Sequence, residues 1–237
     1  MYAKKQIMNT SLWGPPLWRI LHTLSFSPDA MNHAVDVSEF IKTFRYILPC
    51  IFCRNSFRTF VTDLESKYEE TLADTVSSGH LSRWLYKMHG LVNAKLDEQE
   101  HPGVKGRYIN FECLTKRFIL KPVAFTSSDV WEILQIFALN YPDAGADELT
   151  QKRRAYERFF QLIPDMLQIA GANQKLVELL ADDEDVFLFD NATELFNYIT
   201  RKKALFYGER NVLQFLSDEH SLFEICKATK CMQEICV

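Results

Sequence analysis

Residues 37–48 carry apolar side chains at helical spacing, Phe40, Ile41, Phe44 and Ile47, and the run meets Pro49 just before a second amphipathic stretch opens on Cys50-Ile51-Phe52-Cys53-Arg54. Proline does not continue a helix interior but suits a first helical position. The chain must therefore end one helix and begin another here, which puts two thiols near a helix N-terminus. Unpaired amides and the positive end of the helix dipole favour thiolate over thiol at such a place. Arg54 adds a cation, and the short loop lets the two sulfurs meet. The pair reads as a reversible disulfide.

The same periodicity recurs on both sides of that hinge. Gly14-Pro15-Pro16 is expected to break the chain and start a helix through Leu17-Trp18-Arg19-Ile20-Leu21-His22-Thr23-Leu24, with Trp18 and His22 on one face and Pro28-Asp29 at its end. The Cys50 helix continues through Phe57, Phe60, Val61 and Leu64. After the polar Thr75–Gly79 stretch a fourth helix carries Leu81, Trp84, Leu85, Met88, His89, Val92, Asn93 and Leu96. Four helices with short connections make a small bundle. With 8 Gly and 8 Pro in 237 residues, the whole chain reads as all-α. His89, Asn93 and Leu96 form a stripe that suits either a core histidine beside a surface asparagine or, next to Trp18 and His22, a cleft for a flat cofactor.

Composition removes several function classes. A net charge of −4 gives no reason to expect nucleic acid, and Lys152-Arg153-Arg154 and Arg201-Lys202-Lys203 suit solvated helix faces. No apolar run reaches membrane-spanning length, and Met1 to Pro16 lacks the apolar core of a secretory signal. The six cysteines are Cys50, Cys53, Cys113, Cys226, Cys231 and Cys236. A chain this long and 47% hydrophobic needs no staples, so redox use is the economical reading. Zinc competes for these thiols, but no second Cys-x-x-Cys or paired histidine completes four ligands, and no metal is expected. Cys226 and Cys231 would stand about 8.5 Å apart on a continuous helix, beyond disulfide reach, so a bond between them requires a break or loop.

Trp18-x-x-Leu21-His22, Pro49-Cys50-x-x-Cys53-Arg54-x-x-Phe57 and His89-x-x-Val92-Asn93-x-x-Leu96 resemble, in order and separation, the three signatures of the Erv/ALR family of FAD-linked sulfhydryl oxidases. The likeness covers residues 11–115. It implies a four-helix bundle holding FAD, with Cys50 and Cys53 catalytic and Cys53 against the flavin ring. Cofactor contacts would come from Trp13, Gly14, Trp18, His22, His89, Val92, Asn93 and Leu96. It also implies protein dithiols as substrates, O₂ or cytochrome c as acceptor, hydrogen peroxide as product, and pairing into a homodimer. A second, mobile cysteine pair near one terminus belongs to the same pattern, and Cys226 with Cys231 is the candidate shuttle. Cys113 stands where the family often has half of a structural disulfide; its usual partner is absent from Phe57–Glu70. Gly90 replaces the common asparagine after the motif histidine. These departures leave open a disulfide-exchange or adaptor protein without oxidase activity. The Cys-Ile-Phe-Cys-Arg-Asn-Ser-Phe wording and the early start resemble the large-DNA-virus type, acting in host cytosol or virion. Kinetoplastid enzymes of the mitochondrial intermembrane space are the runner-up.

The second half echoes the first. Trp131-Glu-Ile-Leu-Gln135 through Pro142-Asp143 repeats Trp18-Arg-Ile-Leu-His22 through Pro28-Asp29, and Phe159 to Asp165 repeats Phe44 to Cys50, at offsets of 113 to 115 residues. His22 becomes Gln135, Cys50 becomes Asp165 and Cys53 becomes Gln168. Chance alignment of two amphipathic helices is the alternative. Residues 1–121 are thus expected to be the redox domain. Residues 122–237 are expected to be a helical second domain, a degenerate copy with the cysteine tail. Lys121 to Ser128 would link them, with Ser127, Ser128 and Asp129 as caps.

Overall fold

The computed structural model describes residues 10–98, 110–120, 125–142, 150–181 and 189–208. Among them the chain is all-α, with ten α-helices, one short 3-10 helix and no strand. The helices are α1 (Thr10–Phe26), α2 (Ala34–Ile47), α3 (Ile51–Tyr68), α4 (Leu72–Ser77), α5 (Leu81–Glu98), α6 (Phe111–Leu120), α7 (Ser127–Ala138), α8 (Thr150–Ile169), α9 (Gln174–Ala181) and α10 (Ala192–Tyr207). No helix among the described residues is long and apolar enough to cross a membrane.

Two boundaries differ from the sequence expectation. Helix α1 does not begin at Gly14-Pro15-Pro16 but runs through both prolines from Thr10. Their fixed φ is helical, and the carbonyls they leave unbonded, those of Ser11 and Leu12, lie in the first turn, where such a loss costs least. The Thr75–Gly79 stretch is not a plain loop. Thr71 and Asp74 close a capping box that nucleates α4, which ends before Gly79 at φ +77°. In the second half the cap of α7 is Thr126, not Ser127 or Ser128; Asp129 completes its capping box.

Helix α2 packs on α3, α4 and α8, and α1 packs on α5, α6 and α7. The central seam is aromatic. Phe159 of α8 stacks on Phe40 with ring centroids 5.3 Å apart and meets Phe44 at 6.1 Å and Phe137 at 5.4 Å. Phe40, Phe44, Phe137 and Phe159 are all buried, and one contiguous apolar core runs from Trp13 to Ile199 across both halves. Polar clamps flank it. Arg19 pairs with Asp129, and Arg158 with Glu39 and with Asp36 at 3.0 Å. Burial pushes Asp129 up, but the Arg19 guanidinium and the Thr126 amide and hydroxyl outweigh it and hold the carboxyl below its usual range.

The packing brings together helices that the sequence echo aligns. α1 lies on α7 and α2 on α8, and α7 and α10 associate, as do α1 and α5. The halves diverge at one proline. Leu48 leaves the helical region at ψ 133°, as a residue before proline does, and α2 stops. Pro164, the equivalent of Pro49, lies inside an uninterrupted α8.

Because the core is shared, Phe159→Ala is expected to destabilise the whole molecule by about 3–5 kcal/mol. Urea unfolding followed by far-ultraviolet circular dichroism and by tryptophan fluorescence should keep coincident transitions, both shifted to lower urea.

Candidate functional site

The turn Leu48-Pro49-Cys50 makes the redox pair what it is. Cys50 is the N-cap of α3, with φ −92° and ψ 125°, and its sulfur accepts the Cys53 amide hydrogen at 3.3 Å. Pro49 therefore precedes the cap instead of taking the first helical position. A sulfur that caps a helix meets both an unpaired N–H and the positive dipole end, which favour its anion. Cys50 is 1% exposed, whereas Cys53, one turn in, is half-buried against the core. Arg54 folds back over the turn: its amide donates to the Cys50 carbonyl at 3.0 Å and its Nη1 to the Leu48 carbonyl. Ser56, on the Cys53 face of α3, receives a hydrogen bond from Lys95 of α5. That face is thus turned toward the helix carrying His89, Val92, Asn93 and Leu96.

On α1 and α5 the aromatic candidates gather. Trp18 and His89 stack with ring centroids 4.0 Å apart and 5° between planes, His22 lies 5.7 Å from Trp18, and His22 Nε2 and His89 Nδ1 share a hydrogen bond at 3.1 Å. Burial, then the facing His89 and Arg117, pulls His22 down to about 3; burial pulls His89 down to about 4. Both rings are therefore neutral near pH 7. The buried His22 Nδ1 and Trp13 Nε1 have no hydrogen-bond partner among the described residues, and such atoms call for a polar ligand or water. A Cβ at Gly14 or Gly90 would meet nothing within 4 Å, so both positions leave room beside the stack. Val92, Asn93 and Leu96 are half-buried on α5. Rings, two orphaned ring nitrogens and open backbone suit a flat, polar-edged group such as FAD.

Sequence reasoning missed Phe118. From α6 it faces His22 at 5.5 Å and stacks on Phe26 at 5.6 Å, so a helix outside the four-helix motif covers the imidazole pair. The seven-residue spacing from Phe111, which meets Phe26 at 6.3 Å, is the signal that could have found it. Cys113 is exposed near the start of α6, its amide bonded to Asn110 Oδ1 at 2.8 Å. The shuttle candidates Cys226 and Cys231, and Cys236, lie outside the described residues. A cleft of about 200 Å³ between the end of α1 and the α4–α5 turn includes none of the candidate residues. No cluster of three metal-ligating side chains occurs among the described residues.

The same positions in the second half are closed. Gln135 Nε2, in the place of His22, donates to the buried Thr200 Oγ1 at 3.1 Å, and Lys203 Nζ donates to Gln135 Oε1 at 3.0 Å. Asp165 and Gln168, at the places of Cys50 and Cys53, are exposed on a continuous helix.

The model of the Erv1 / Alr family matches residues 15–111, from the prolines of α1 to the first residue of α6 and less than half of the 237 residues. This segment is similar to a family known for sulfhydryl oxidases. No curated protein and no solved structure matches the chain.

The neutral imidazole pair makes stability depend on pH. Well above about pH 6.5 neither histidine is charged, folded or unfolded. As the pH falls, the unfolded rings take protons while the native ones, at about 3 and about 4, do not. Folding stability of the cofactor-free protein should drop by roughly 4 kcal/mol between pH 7 and pH 5, about half of it from each ring. His89→Gln should flatten that slope in urea unfolding at the two pH values.

Proposed function

We propose that this chain is a FAD-dependent sulfhydryl oxidase that forms disulfides in protein substrates. The observation that carries the reading is a Cys-x-x-Cys at a helix N-terminus whose inner cysteine shares a face with the contact to α5, the helix that carries His89 of the Trp18–His22–His89 stack. Residues Trp13, Gly14, Trp18, His22, His89, Val92, Asn93 and Leu96 would hold the cofactor.

The protein's own part is thiol–disulfide exchange. A thiolate, from the substrate or from a Cys226–Cys231 shuttle, attacks Cys50 Sγ; the new S–S bond forms as the Cys50–Cys53 bond breaks. Cys53 leaves with the electron pair as a thiolate. A second thiolate of the attacking pair then displaces Cys50, which leaves as a thiolate facing the Cys53 amide. Two thiols have lost two electrons and two protons, and Cys50 and Cys53 hold the pair. FAD, when bound, would supply a two-electron acceptor for the pair held by Cys50 and Cys53, with O₂, yielding hydrogen peroxide, or cytochrome c as the final acceptor. The stacked rings orient the cofactor and exclude water; neutral histidines add no charge against its edge.

The second half acts as a degenerate partner. In this reading α7 and α8 take the face on α1 and α2 that a second catalytic domain would otherwise cover, and residues 122–237 form a domain with no Cys-x-x-Cys of its own that carries the cysteine tail. A second reading, a disulfide-exchange or adaptor protein on the same bundle, draws on Gly90 in place of the asparagine that commonly follows the motif histidine and on the absence of the usual partner of Cys113 from Phe57–Glu70.

Purified protein should be yellow and its absorption band should bleach with dithiothreitol; a colourless preparation without flavin favours the adaptor. With a reduced protein as substrate, Cys53→Ser should abolish oxygen consumption for every substrate. Cys231→Ser should abolish it for protein substrates while sparing small dithiols.

A further inference from the structure

Arg54 is no ordinary surface cation. Its amide is tied to the Cys50 carbonyl and its guanidinium to the Leu48 carbonyl, so it stays over the turn. It lies within electrostatic reach of Cys50, Cys53, Tyr156 and Arg58. Tyr156 comes from α8, in the other half of the chain. Fully buried, it donates to the Phe137 carbonyl at 2.8 Å, and its hydroxyl lies 3.5 Å from the Ile47 carbonyl, one residue before Leu48. Lys152 precedes Tyr156 by one helical turn on the same face, is half-buried, and has Arg54 as its charged neighbour.

We propose that α8 forms the outer wall of the redox centre, with Tyr156 and Lys152 as positioning residues that confine the Arg54 guanidinium beside Cys50 and Cys53 and so tune the pair toward its reduced, thiolate form. The inference rests on reading Cys50 and Cys53 as a redox pair. It gives the second half a chemical role that a filled interface alone does not. Cys50 is almost wholly removed from water, and a buried thiolate is costly unless cations and N–H donors face it. The Cys53 amide is one such donor; Arg54 is the cation, prevented from turning to solvent by the helix packed over it. Burial and the adjacent Arg54 pull Lys152 down to about 8, the direction expected of an amine held close to a like charge. Two cations crowded at one turn are relieved when an anion forms between them and the helix end. Reduction of the disulfide supplies that anion: the S–S bond takes two electrons from a dithiol and opens, and one or both sulfurs remain deprotonated.

The test is the equilibrium of the Cys50–Cys53 pair with a dithiothreitol redox buffer in the full-length protein, read by alkylation and mass spectrometry, together with the rate of iodoacetamide alkylation of Cys50 at pH 7. Arg54→Gln should shift the equilibrium about tenfold toward the disulfide, and Lys152→Gln and Tyr156→Phe about threefold each, with alkylation slowed in step. Lys152→Arg should restore the wild-type value. Circular dichroism and urea midpoints identify any variant that has merely lost its fold; Lys152, being half-exposed, is the variant least prone to that. Folded Lys152→Gln and Tyr156→Phe proteins with unchanged equilibrium and alkylation overturn the proposal, even if Arg54→Gln shifts both, because the tuning then belongs to the first half alone. Neither readout needs flavin or oxygen. A shifted pair in a colourless, oxygen-inert protein would therefore sink the oxidase reading and leave this one standing.

Discussion

Phe159 of α8 meets Phe40, Phe44 and Phe137 in a dry aromatic seam, and the remaining architecture is arranged around the place where that seam runs out. Just beyond Phe44, α2 stops at Leu48 and the chain turns through Pro49 into the N-cap of α3. A turn of this kind exposes unsatisfied carbonyls at one helix end and unsatisfied amides at the other. Here the Leu48 carbonyl is taken by Arg54, the Ile47 carbonyl is approached by Tyr156 and the Cys53 amide is taken by the Cys50 sulfur. The reactive group is thus part of the hydrogen-bond closure of a helix break. A firmly packed seam is what allows such a break to keep one geometry, because interiors at crystal-like density leave little freedom to slide.

The bundle and its site residues were unevenly legible. Trp18, His22 and His89 could be placed on shared faces from i, i+4 spacing, because a helix converts sequence separation directly into direction. That Cys50 lies near a helix start was legible for the same local reason, but its place as the cap was not, because a proline such as Pro49 suits the first helical position. Helix α1 was not: two successive prolines signal a break, and the preference was overridden near a helix start, where few intrahelical bonds are at stake. Phe118, Lys152 and Tyr156 reach the site from elements far along the chain. The seven-residue spacing of Phe111 and Phe118 marks a helix face, but not what that face meets. Nothing in the local pattern of Lys152 and Tyr156 announces their place, since which faces meet is decided by packing rather than by periodicity. The clamp of Arg158 on Asp36 and Glu39 is of the same kind.

The two halves differ in how the buried polar pair between two of their helices is completed. In the first, a hydrogen-bonded imidazole pair leaves one ring nitrogen unmet beside a half-exposed indole. In the second, glutamine and threonine bond each other and a lysine takes the glutamine oxygen. The geometry is alike at 3.1 Å in both, yet one pair keeps a valence for a guest and the other completes its bonds with neighbouring side chains.

Helix α8 passes through Pro164 without interruption, and this makes the difference between the halves hard to reverse. Cysteines introduced at Asp165 and Gln168 would sit in the last turns of α8, where every nearby amide is already committed to a carbonyl one turn back. They would face the negative end of the helix dipole, which disfavours a thiolate. A thiol pair capping a helix in the second half would require the backbone to break first, and breaking α8 would loosen the helix whose Phe159 and Tyr156 pack against α2 where it leads into the Cys50 turn. An unbroken α8 thus keeps that turn rigid by giving up a helix start of its own.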